Sequence, residues 1–350
     1  MPGGKATTYS RHDPFPGAED GIDVKIELEI RPDDAMIEVD LRDNPDCLPC
    51  GLNLSQACTE SSVLLGIFNS IQEDVPTNAG SLRRVKMHLR ENCVVGIPVH
   101  PTSCSVATTN VADRLGNGVA RAISELGDGH GMASTASIIP PSIGVISGSS
   151  EKTGGAYVNQ IFLGWGGGAA GPHVDAWISI GHIGNAGGSY QDSIELDEMR
   201  FPIRVAGRHF ITDSGGAGRS RGGEAVYCEF GPVEGGMEVG YVSDGNDHAP
   251  EGTRGGGDGA RANQFRRDPN GDLHQLDACA QAEIPEGHTI VSYSCGGGGY
   301  GDPYQRSVDQ VAHDVREKWV SVEAAKTVYG VVVDVAGIVD RSATEALRAK

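Results

Sequence analysis

The most distinctive stretch of this chain reads Asp213-Ser214-Gly215-Gly216-Ala217-Gly218-Arg219-Ser220-Arg221-Gly222-Gly223. Further glycine-rich runs occupy residues 164–168, 255–259 and 296–301. Glycine accounts for 51 of the 350 residues, about twice its usual frequency of about 7%, and aromatic residues account for only 5%. Because glycine interrupts regular elements, this composition predicts short strands joined by many loops.

Each glycine run could hold an anion through its backbone N–H groups, or could supply the positive φ angles that turns need. A P-loop requires Gly-x-x-x-x-Gly-Lys-Ser/Thr between a strand and a helix, and a dinucleotide site requires Gly-x-Gly-x-x-Gly at the start of a helix. Neither motif occurs here in that setting. We therefore predict that the runs are turns and that this chain does not hold ATP alone.

The chain is strongly acidic, with 28 Lys and Arg against 47 Asp and Glu and a formal net charge of −19. Such a charge repels the phosphate backbone of nucleic acids and anionic lipid surfaces. No run approaches the ~18 consecutive apolar residues of a membrane span, and the first ten residues lack the apolar segment of a signal peptide. We expect no nucleic-acid or membrane partner, and a cytoplasmic location.

Eight scattered cysteines without a signal peptide predict free thiols instead of a disulfide framework. The Cys47-Leu48-Pro49-Cys50 motif could be half of a zinc site or a redox pair, with Cys58 as a further zinc ligand. A second ligand pair and the strand-before, helix-after context are both missing, so turn thiols are favoured. Cys104 is a conceivable nucleophile, but a buried thiol is the commoner explanation.

Hydrophobic periodicity predicts an α+β fold, mainly antiparallel β with glycine-rich loops. Alternation over residues 23–30 and 36–41 predicts a β-hairpin, and three-to-four spacing over 54–71 and 109–126 predicts two helices. Helical spacing returns from Val311 onward and predicts a helical C-terminal tail. Further strands are expected at residues 157–163, 176–180, 203–211, 225–230, 237–242 and 289–293.

Changes in amino-acid composition along the chain divide it into four expected regions. Glycine, serine and proline become frequent after Leu126 and mark a boundary between subdomains. The regions are an extended lead-in at 1–21, an α+β subdomain at 22–130, a β-rich glycine-loop subdomain at 131–303 and a helical tail at 304–350.

One group of side chains has the composition of a metal site. On a strand, His173 and Asp175 would project to the same face, and His182 follows nearby. Acidic side chains are also expected on so acidic a surface, so both interpretations stay open. The nucleophile motif Gly-x-Ser-x-Gly is missing from the sequence, which gives no support to a serine hydrolase.

Taken in order, the glycine runs resemble those of the hydantoinase B/5-oxoprolinase family. The resemblance extends from about residue 15 to about residue 333. His182 stands where family members carry a histidine, although the sequence here reads His182-Ile183-Gly184-Asn185. The segments that carry the resemblance are Gly164-Trp165-Gly166-Gly167, Arg200-Phe201-Pro202, the 213–223 stretch, Ser243-Asp244, Gly255-Gly256-Gly257 and Gly296-Gly297-Gly298-Gly299-Tyr300-Gly301-Asp302-Pro303.

The resemblance implies a subunit of an ATP-dependent amidohydrolase that opens cyclic amides such as hydantoins and 5-oxoproline. ATP, with Mg²⁺, would phosphorylate the carbonyl oxygen on a hydantoinase A-like ATPase partner, so a hetero-oligomer is expected. Two alternatives stay open. The chain could belong to a ketone carboxylase of the acetone or acetophenone type, or it could be a noncatalytic assembly module.

The chain also departs from the family pattern. Family members are much longer and carry an N-terminal stretch with an Asn-Asp-Pro-type segment and spaced histidines and aspartates that bind a divalent metal. The segment Arg11-His12-Asp13-Pro14 resembles that N-terminal stretch only superficially. We therefore expect this chain to be the C-terminal portion of such a polypeptide. The metal would come from a separate N-terminal polypeptide or be absent.

The resemblance also suggests which residues carry the chemistry. We expect Trp165, His182 and Asp213 to be catalytic, and the 296–301 run to line the path of the reaction intermediate or an interface. Gly215 and Gly216 are expected to be required by the backbone.

Overall fold

The computed structural model describes residues 1–71, 75–151, 154–180, 182–184 and 190–349. Three β-sheets and several helices make up this part of the chain, which confirms the expected α+β class with mainly antiparallel strands. None of the helices described here is long and apolar enough to cross a membrane.

The first sheet has the strand order β1-β2-β3-β4. Its strands are β1 (Gly4–His12), β2 (Ile22–Arg31), β3 (Met36–Asp40) and β4 (Val85–His88). The pair β2–β3 is the predicted hairpin, with Leu28 opposite Val39, while β3 and β4 run parallel. Alternate residues of β2 are buried because one face of this sheet is covered.

Two helices pack beside this sheet, and both are close to their predicted positions. They are α1 (Gln56–Asn69) and α3 (Val111–Glu125), with the short α2 (Ala79–Leu82) between them in the chain. The Ser55 side chain accepts a hydrogen bond from the Cys58 N–H and so begins α1. Gly66 brings α1 close to α3, since a Cβ there would lie 2.5 Å from the Gly116 carbonyl oxygen.

Two further antiparallel sheets share one apolar core, which makes this part of the fold a two-layer sandwich. Their orders are β11-β10-β13-β8-β7 and β12-β9-β5-β6. The bounds are β5 (Val145–Ser150), β6 (Gly155–Gln160), β7 (Ile203–Phe210), β8 (Val226–Pro232), β9 (Gly236–Val242), β10 (Asn263–Arg267), β11 (Leu273–Gln275), β12 (Cys279–Pro285) and β13 (Thr289–Tyr293). The helix α4 (Ile194–Arg200) leads into β7.

The structure corrects several strand predictions. The strand expected at 157–163 ends earlier, at Gln160, and residues 176–180 are a loop. The loop does not join a ladder because its backbone bonds to the glycine segments, as when the Gly168 N–H donates to the Trp177 carbonyl at 2.9 Å. Sequence reasoning missed β4, β5, β10, β11 and β12 and treated β1 as part of a lead-in. The division into four regions stays a prediction.

The glycine runs converge into one buried structure, which we call the glycine bundle and define as residues 166–168, 215–216, 222–223, 256–257 and 296–299. Its backbones bond to one another: the Gly216 N–H donates to the Gly297 carbonyl at 2.8 Å, and the Gly297 N–H donates to the Gly223 carbonyl at 2.9 Å. A Cβ on Gly297 would lie 1.7 Å from the Gly168 oxygen. Only glycine permits backbones to approach this closely.

The bundle overturns the expectation of positive φ for most glycines of these runs, although Gly255 and Gly301, which flank it in the chain, have φ of 91° and 75°. None of the bundle's glycines has a φ in the left-handed region. Most of their N–H groups also donate to carbonyls of neighbouring segments, so these N–H groups are not presented to an anion. Close approach of backbones, not turn geometry, explains why glycine recurs at these positions.

The C-terminal tail is helical as predicted, with α5 (Val308–Arg316), α6 (Val322–Thr327) and α7 (Arg341–Arg348). Side chains of this tail form an apolar cluster of their own. Ser307, Ser321 and Asp340 cap the three helices by accepting N–H hydrogen bonds.

A buried group of charged side chains connects α3 to the loop after β9. Asp244 accepts hydrogen bonds from Arg114 at 2.6 and 2.9 Å and from the Asp13 N–H at 3.0 Å. Burial alone would raise the pKa of Asp244, but the charges of Arg114 and His12 and the Arg114 hydrogen bonds lower it to about 2.

We expect acid to weaken the fold through Asp244. Its folded pKa of about 2 lies below the ordinary 3.8, so its contribution is complete above about pH 4 and is lost as the pH falls toward 2. The loss should be about 2 kcal/mol of unfolding free energy. Denaturant unfolding of the wild type and of Asp244→Asn from pH 5 to 2 measures this loss. If the difference in unfolding free energy between the two proteins does not shrink as the pH falls, Asp244 is not the group responsible.

Candidate active site

His182 lies against Asp113, a residue in the first turn of α3. The His182 Nδ1 is 3.1 Å from the Asp113 Oδ1, and the Gly184 N–H approaches the same nitrogen at 3.2 Å. Asp113 is buried, and its Oδ2 has no hydrogen-bond partner among the described residues. Burial raises the pKa of Asp113, while the hydrogen bond with His182 opposes the rise. An imidazole held by a buried carboxyl can donate or accept a proton.

Sequence reasoning singled out His182 but missed Asp113. The two residues are 69 positions apart, and an acidic residue in the first turn of a helix is ordinarily explained by the helix dipole. Only the packing of α3 against the segment 182–184 brings them together.

A small cavity of about 220 Å³ opens on the segment that carries His182, although neither His182 nor Asp113 is one of its lining residues. Ile183, the neighbour of His182 in the chain, lines it, and so does Asn69 at the end of α1. Most of its walls are apolar, and none of the lining residues that the structure describes is Lys or Arg. The lining residues are Asn69, Met132, Thr135, Gly168, Ala169, Val174, Asp175, Trp177, Ile180 and Ile183.

Trp165 is a core residue. Its side chain stacks on Phe162 with ring centroids 5.1 Å apart and joins the apolar cluster of Ile138 and Ile143. It is only 4% exposed, and its indole nitrogen is buried without a hydrogen-bond partner in the described part of the chain. These contacts give Trp165 a packing role, and they place it in different surroundings from the His182–Asp113 pair.

Asp213 holds the C-terminal tail in place. Its carboxylate accepts a hydrogen bond from the Ser321 N–H at 2.7 Å, and its own N–H donates to the Trp319 carbonyl at 2.9 Å. The residue is exposed and has a φ of 62°. The fold therefore does not bring Trp165, His182 and Asp213 to one site, and the 296–299 run lies inside the glycine bundle.

The possible metal group of His173, Asp175 and His182 is also not assembled. Residues 173–175 are not a strand, His173 is exposed, and Asp175 is occupied by Arg306 and by the Arg221 N–H. In the described part of the chain, no three His, Cys, Asp or Glu side chains are arranged to hold a metal ion. The divalent metal expected from the family therefore has no fitting ligand set among these residues. Asn185, quoted with His182 above, lies outside the described residues.

The cavity residue Asp175 is fixed by a buried ion network. Arg306 is 1% exposed and donates to both oxygens of Asp175, at 2.6 and 2.8 Å. It also donates to both oxygens of Asp314 in α5, at 2.8 and 3.1 Å. The C-terminal tail thus neutralises the carboxylate beside the cavity.

The thiols show no activated nucleophile. All eight cysteines are free, as predicted. Burial raises the pKa of Cys104, which disfavours the thiolate that a nucleophile requires. Cys47 and Cys50 are partly buried in a bend.

Several known proteins are similar in sequence to most of this chain. The Hydantoinase B/oxoprolinase family model matches residues 4–303. The beta chain of the caprolactamase of Pseudomonas jessenii is 27% identical over 333 residues, covering 94% of this chain and 56% of that protein. A protein of Pseudomonas sp. (strain NS671) named as the B component of a D-/L-hydantoinase is 24% identical over 362 residues, covering 99% of this chain and 59% of that protein. The chain spans slightly more than half the length of these relatives.

Solved structures share the fold. The ATP-dependent caprolactamase from Pseudomonas jessenii superposes with a TM-score of 0.82 at 24% identity, over 100% of this chain and 60% of that one. A nucleotide-free acetone carboxylase superposes with a TM-score of 0.81 at 19% identity, over 100% of this chain and 52% of that one. The fold and the family match agree with the order of the glycine runs, and this chain belongs to the hydantoinase B/oxoprolinase family.

Proposed function

We propose that this chain is a subunit of an ATP-dependent amidohydrolase that opens a cyclic amide. The observation that carries the proposal is the His182–Asp113 pair, on a segment that also lines an apolar cavity through Ile183, in a chain of this family. The resemblance to one chain of a caprolactamase and one component of a hydantoinase supports a cyclic amide as the substrate.

The chemistry requires a proton at a defined place. Phosphorylation of the amide oxygen by ATP on the partner makes the carbonyl carbon a better electrophile. Attack by water on that carbon and cleavage of the C–N bond then open the ring and leave an acyl phosphate, which a second water hydrolyses to the carboxylate and inorganic phosphate. The departing nitrogen must take up a proton. His182 would supply that proton from its imidazole, which Asp113 holds in place. We assign Trp165 and Asp213 to holding the fold instead.

The proposal includes partners. A hydantoinase A-like ATPase would carry ATP and Mg²⁺. The divalent metal of the family would be held by a separate N-terminal polypeptide or be absent, and the described residues of this chain offer no ligand set for it. The reactive phosphorylated intermediate would pass between subunits without release into water, which requires a stable hetero-oligomer.

Reconstitution tests the proposal. The chain is co-purified from its native cells with its partners, and the complex is assayed with ATP and a panel of lactams, hydantoins and 5-oxoproline. ATP-dependent ring opening supports the proposal. Bicarbonate-dependent consumption of acetone or acetophenone would instead assign the chain to a ketone carboxylase, an alternative that the shared fold with acetone carboxylase keeps in view. A stable complex that is inert with both substrate classes would indicate an assembly module.

Replacement of His182 by Asn is expected to lower turnover of the assembled complex by about 10²- to 10⁴-fold, the usual contribution of a general acid or base. Asn keeps a polar group near Asp113 but cannot act as a general acid. His173→Asn is the matched control, because His173 is exposed. Steady-state rates are measured together with denaturation midpoints. Equal rates for the two variants at equal stability would remove His182 from the mechanism.

A further inference from the structure

The walls of the cavity specify the kind of molecule that fits it. Val174, Trp177, Ile180 and Ile183 present apolar surface, and Trp177 is 64% exposed at this position. An apolar wall favours a hydrocarbon body, since burial removes about 25 cal/mol of unfavourable hydration for each Å². The volume of about 220 Å³ suits a small ring and not an extended chain.

Charge restricts the ligand further. Among the described residues of the wall, the only ionisable one is Asp175, whose carboxylate is already paired with Arg306 through two hydrogen bonds. A ligand carboxylate would therefore find no cation in these walls and would meet the oxygens of Asp175. Transfer of an unpaired charge into such surroundings is costly.

Two polar side chains of the wall could orient a ligand. The Asn69 Nδ2 donates to the Ile183 carbonyl at 3.2 Å, which places its amide at the wall next to the His182–Asp113 pair. The Thr135 hydroxyl is already satisfied by Asn117. The Asn69 amide oxygen is thus the side-chain group best suited to accept the N–H of an amide ligand.

We infer that this cavity binds the hydrocarbon ring of an uncharged lactam and discriminates against cyclic amides that carry a carboxylate. The inference rests on the proposed function for its relevance to catalysis, and it names the substrate class. Asn69 would accept the lactam N–H, and the ring would lie against Trp177 and Ile180 with its amide near His182.

Binding to the 350-residue chain without ATP or partners tests the inference independently of turnover. The probes are 2-pyrrolidinone and 5-oxoproline, which share the five-membered lactam ring and differ by one carboxylate. Intrinsic tryptophan fluorescence, to which the exposed Trp177 contributes, and ligand-observed NMR report the titration. We expect 5-oxoproline to bind at least about tenfold more weakly, because its carboxylate finds no partner. Equal binding of the two probes, or binding of neither, would overturn the inference.

Variants locate the binding site. Ala169→Leu adds three carbons inside the cavity and should weaken the binding of 2-pyrrolidinone at least about tenfold. Ala156→Leu, on the exposed edge strand β6, is the matched control and should leave binding unchanged. An unaltered affinity in Ala169→Leu would place the ligand elsewhere.

A third variant does not depend on filling buried space. Val174 is 58% exposed at the cavity rim, so Val174→Arg can introduce a cation without disturbing the core. It should raise the affinity for 5-oxoproline relative to 2-pyrrolidinone by about tenfold. If the ratio of the affinities for 5-oxoproline and 2-pyrrolidinone stays at the wild-type value, the inference is contradicted. Lactam binding without turnover in the reconstituted complex would retain this site and reject only the proposed reaction.

Discussion

Gly297→Ala is expected to prevent this chain from reaching its native fold. The new Cβ would lie 1.7 Å from the Gly168 carbonyl oxygen and 2.5 Å from its carbonyl carbon, and both are backbone atoms. A side chain can rotate away from a clash, but here two buried backbones must separate, which breaks the hydrogen bond from the Gly223 N–H to the Gly168 oxygen. The loss of unfolding free energy should exceed roughly 3 kcal/mol, the upper end of the usual cost of overpacking a core.

Gly155→Ala is the control for this substitution. Gly155 lies on β6 with no atom within 4 Å of the position of a Cβ and with no positive φ. Alanine there should be neutral or stabilise the strand by about 0.5–1 kcal/mol. Soluble expression and denaturant unfolding measure both variants. A Gly297→Ala protein with wild-type stability would show that the bundle is not packed as described.

Arg306→Met is expected to remove about 3–5 kcal/mol of unfolding free energy, the usual cost of breaking a buried ion pair. Methionine fills much of the space of the arginine stem, but it leaves the carboxylate of Asp175 without its cation and that of Asp314 with only Arg221, whose Nε lies 3.8 Å away. Asp314 is buried and Asp175 partly so, hence both charges lose a partner that water does not fully replace. Urea unfolding measures the difference.

Two comparisons separate this effect from a general loss of charge. Arg341→Met removes an ion pair with Asp309 in which the side chains are 69% and 80% exposed, so it should cost no more than about 1 kcal/mol. The double variant Arg306→Met with Asp314→Asn should recover part of the loss, because it removes one of the two stranded charges. Equal stability of Arg306→Met and Arg341→Met would refute the buried-network interpretation.

The predictable parts of the fold are those in which local pattern and burial agree. The β2–β3 hairpin and the helices α1 and α3 followed from periodicity because each of these elements buries one face or stripe. The strand β1 was not recognised, since Lys5-Ala6-Thr7-Thr8-Tyr9-Ser10 has little apolar alternation, and its position depends on pairing with β2. Residues 176–180 look like a strand but bond to the glycine bundle instead.

The candidate site was less predictable than the fold. His182 was singled out through the family resemblance, whereas Asp113 carries no sequence signal that separates it from an ordinary acidic residue at a helix start. Trp165 and Asp213 were expected at the site, but one packs in the core and the other holds α6. A distinctive residue in a family motif can therefore be required by the backbone or the core alone.

The family, the α+β class, the hairpin, the principal helices and the helical tail all follow from the amino-acid sequence, because they depend on local periodicity and on motif order. Tertiary packing was needed to show that the glycine runs meet, that Arg306 neutralises Asp175, and that Asp113 contacts His182 beside a cavity. Each of these depends on contacts between residues far apart in the chain, as with Arg306 and Asp175, which are separated by 131 positions. Glycine, aspartate and arginine have no local pattern that identifies such partners, so their roles are set by the backbones and charges that folding brings within reach.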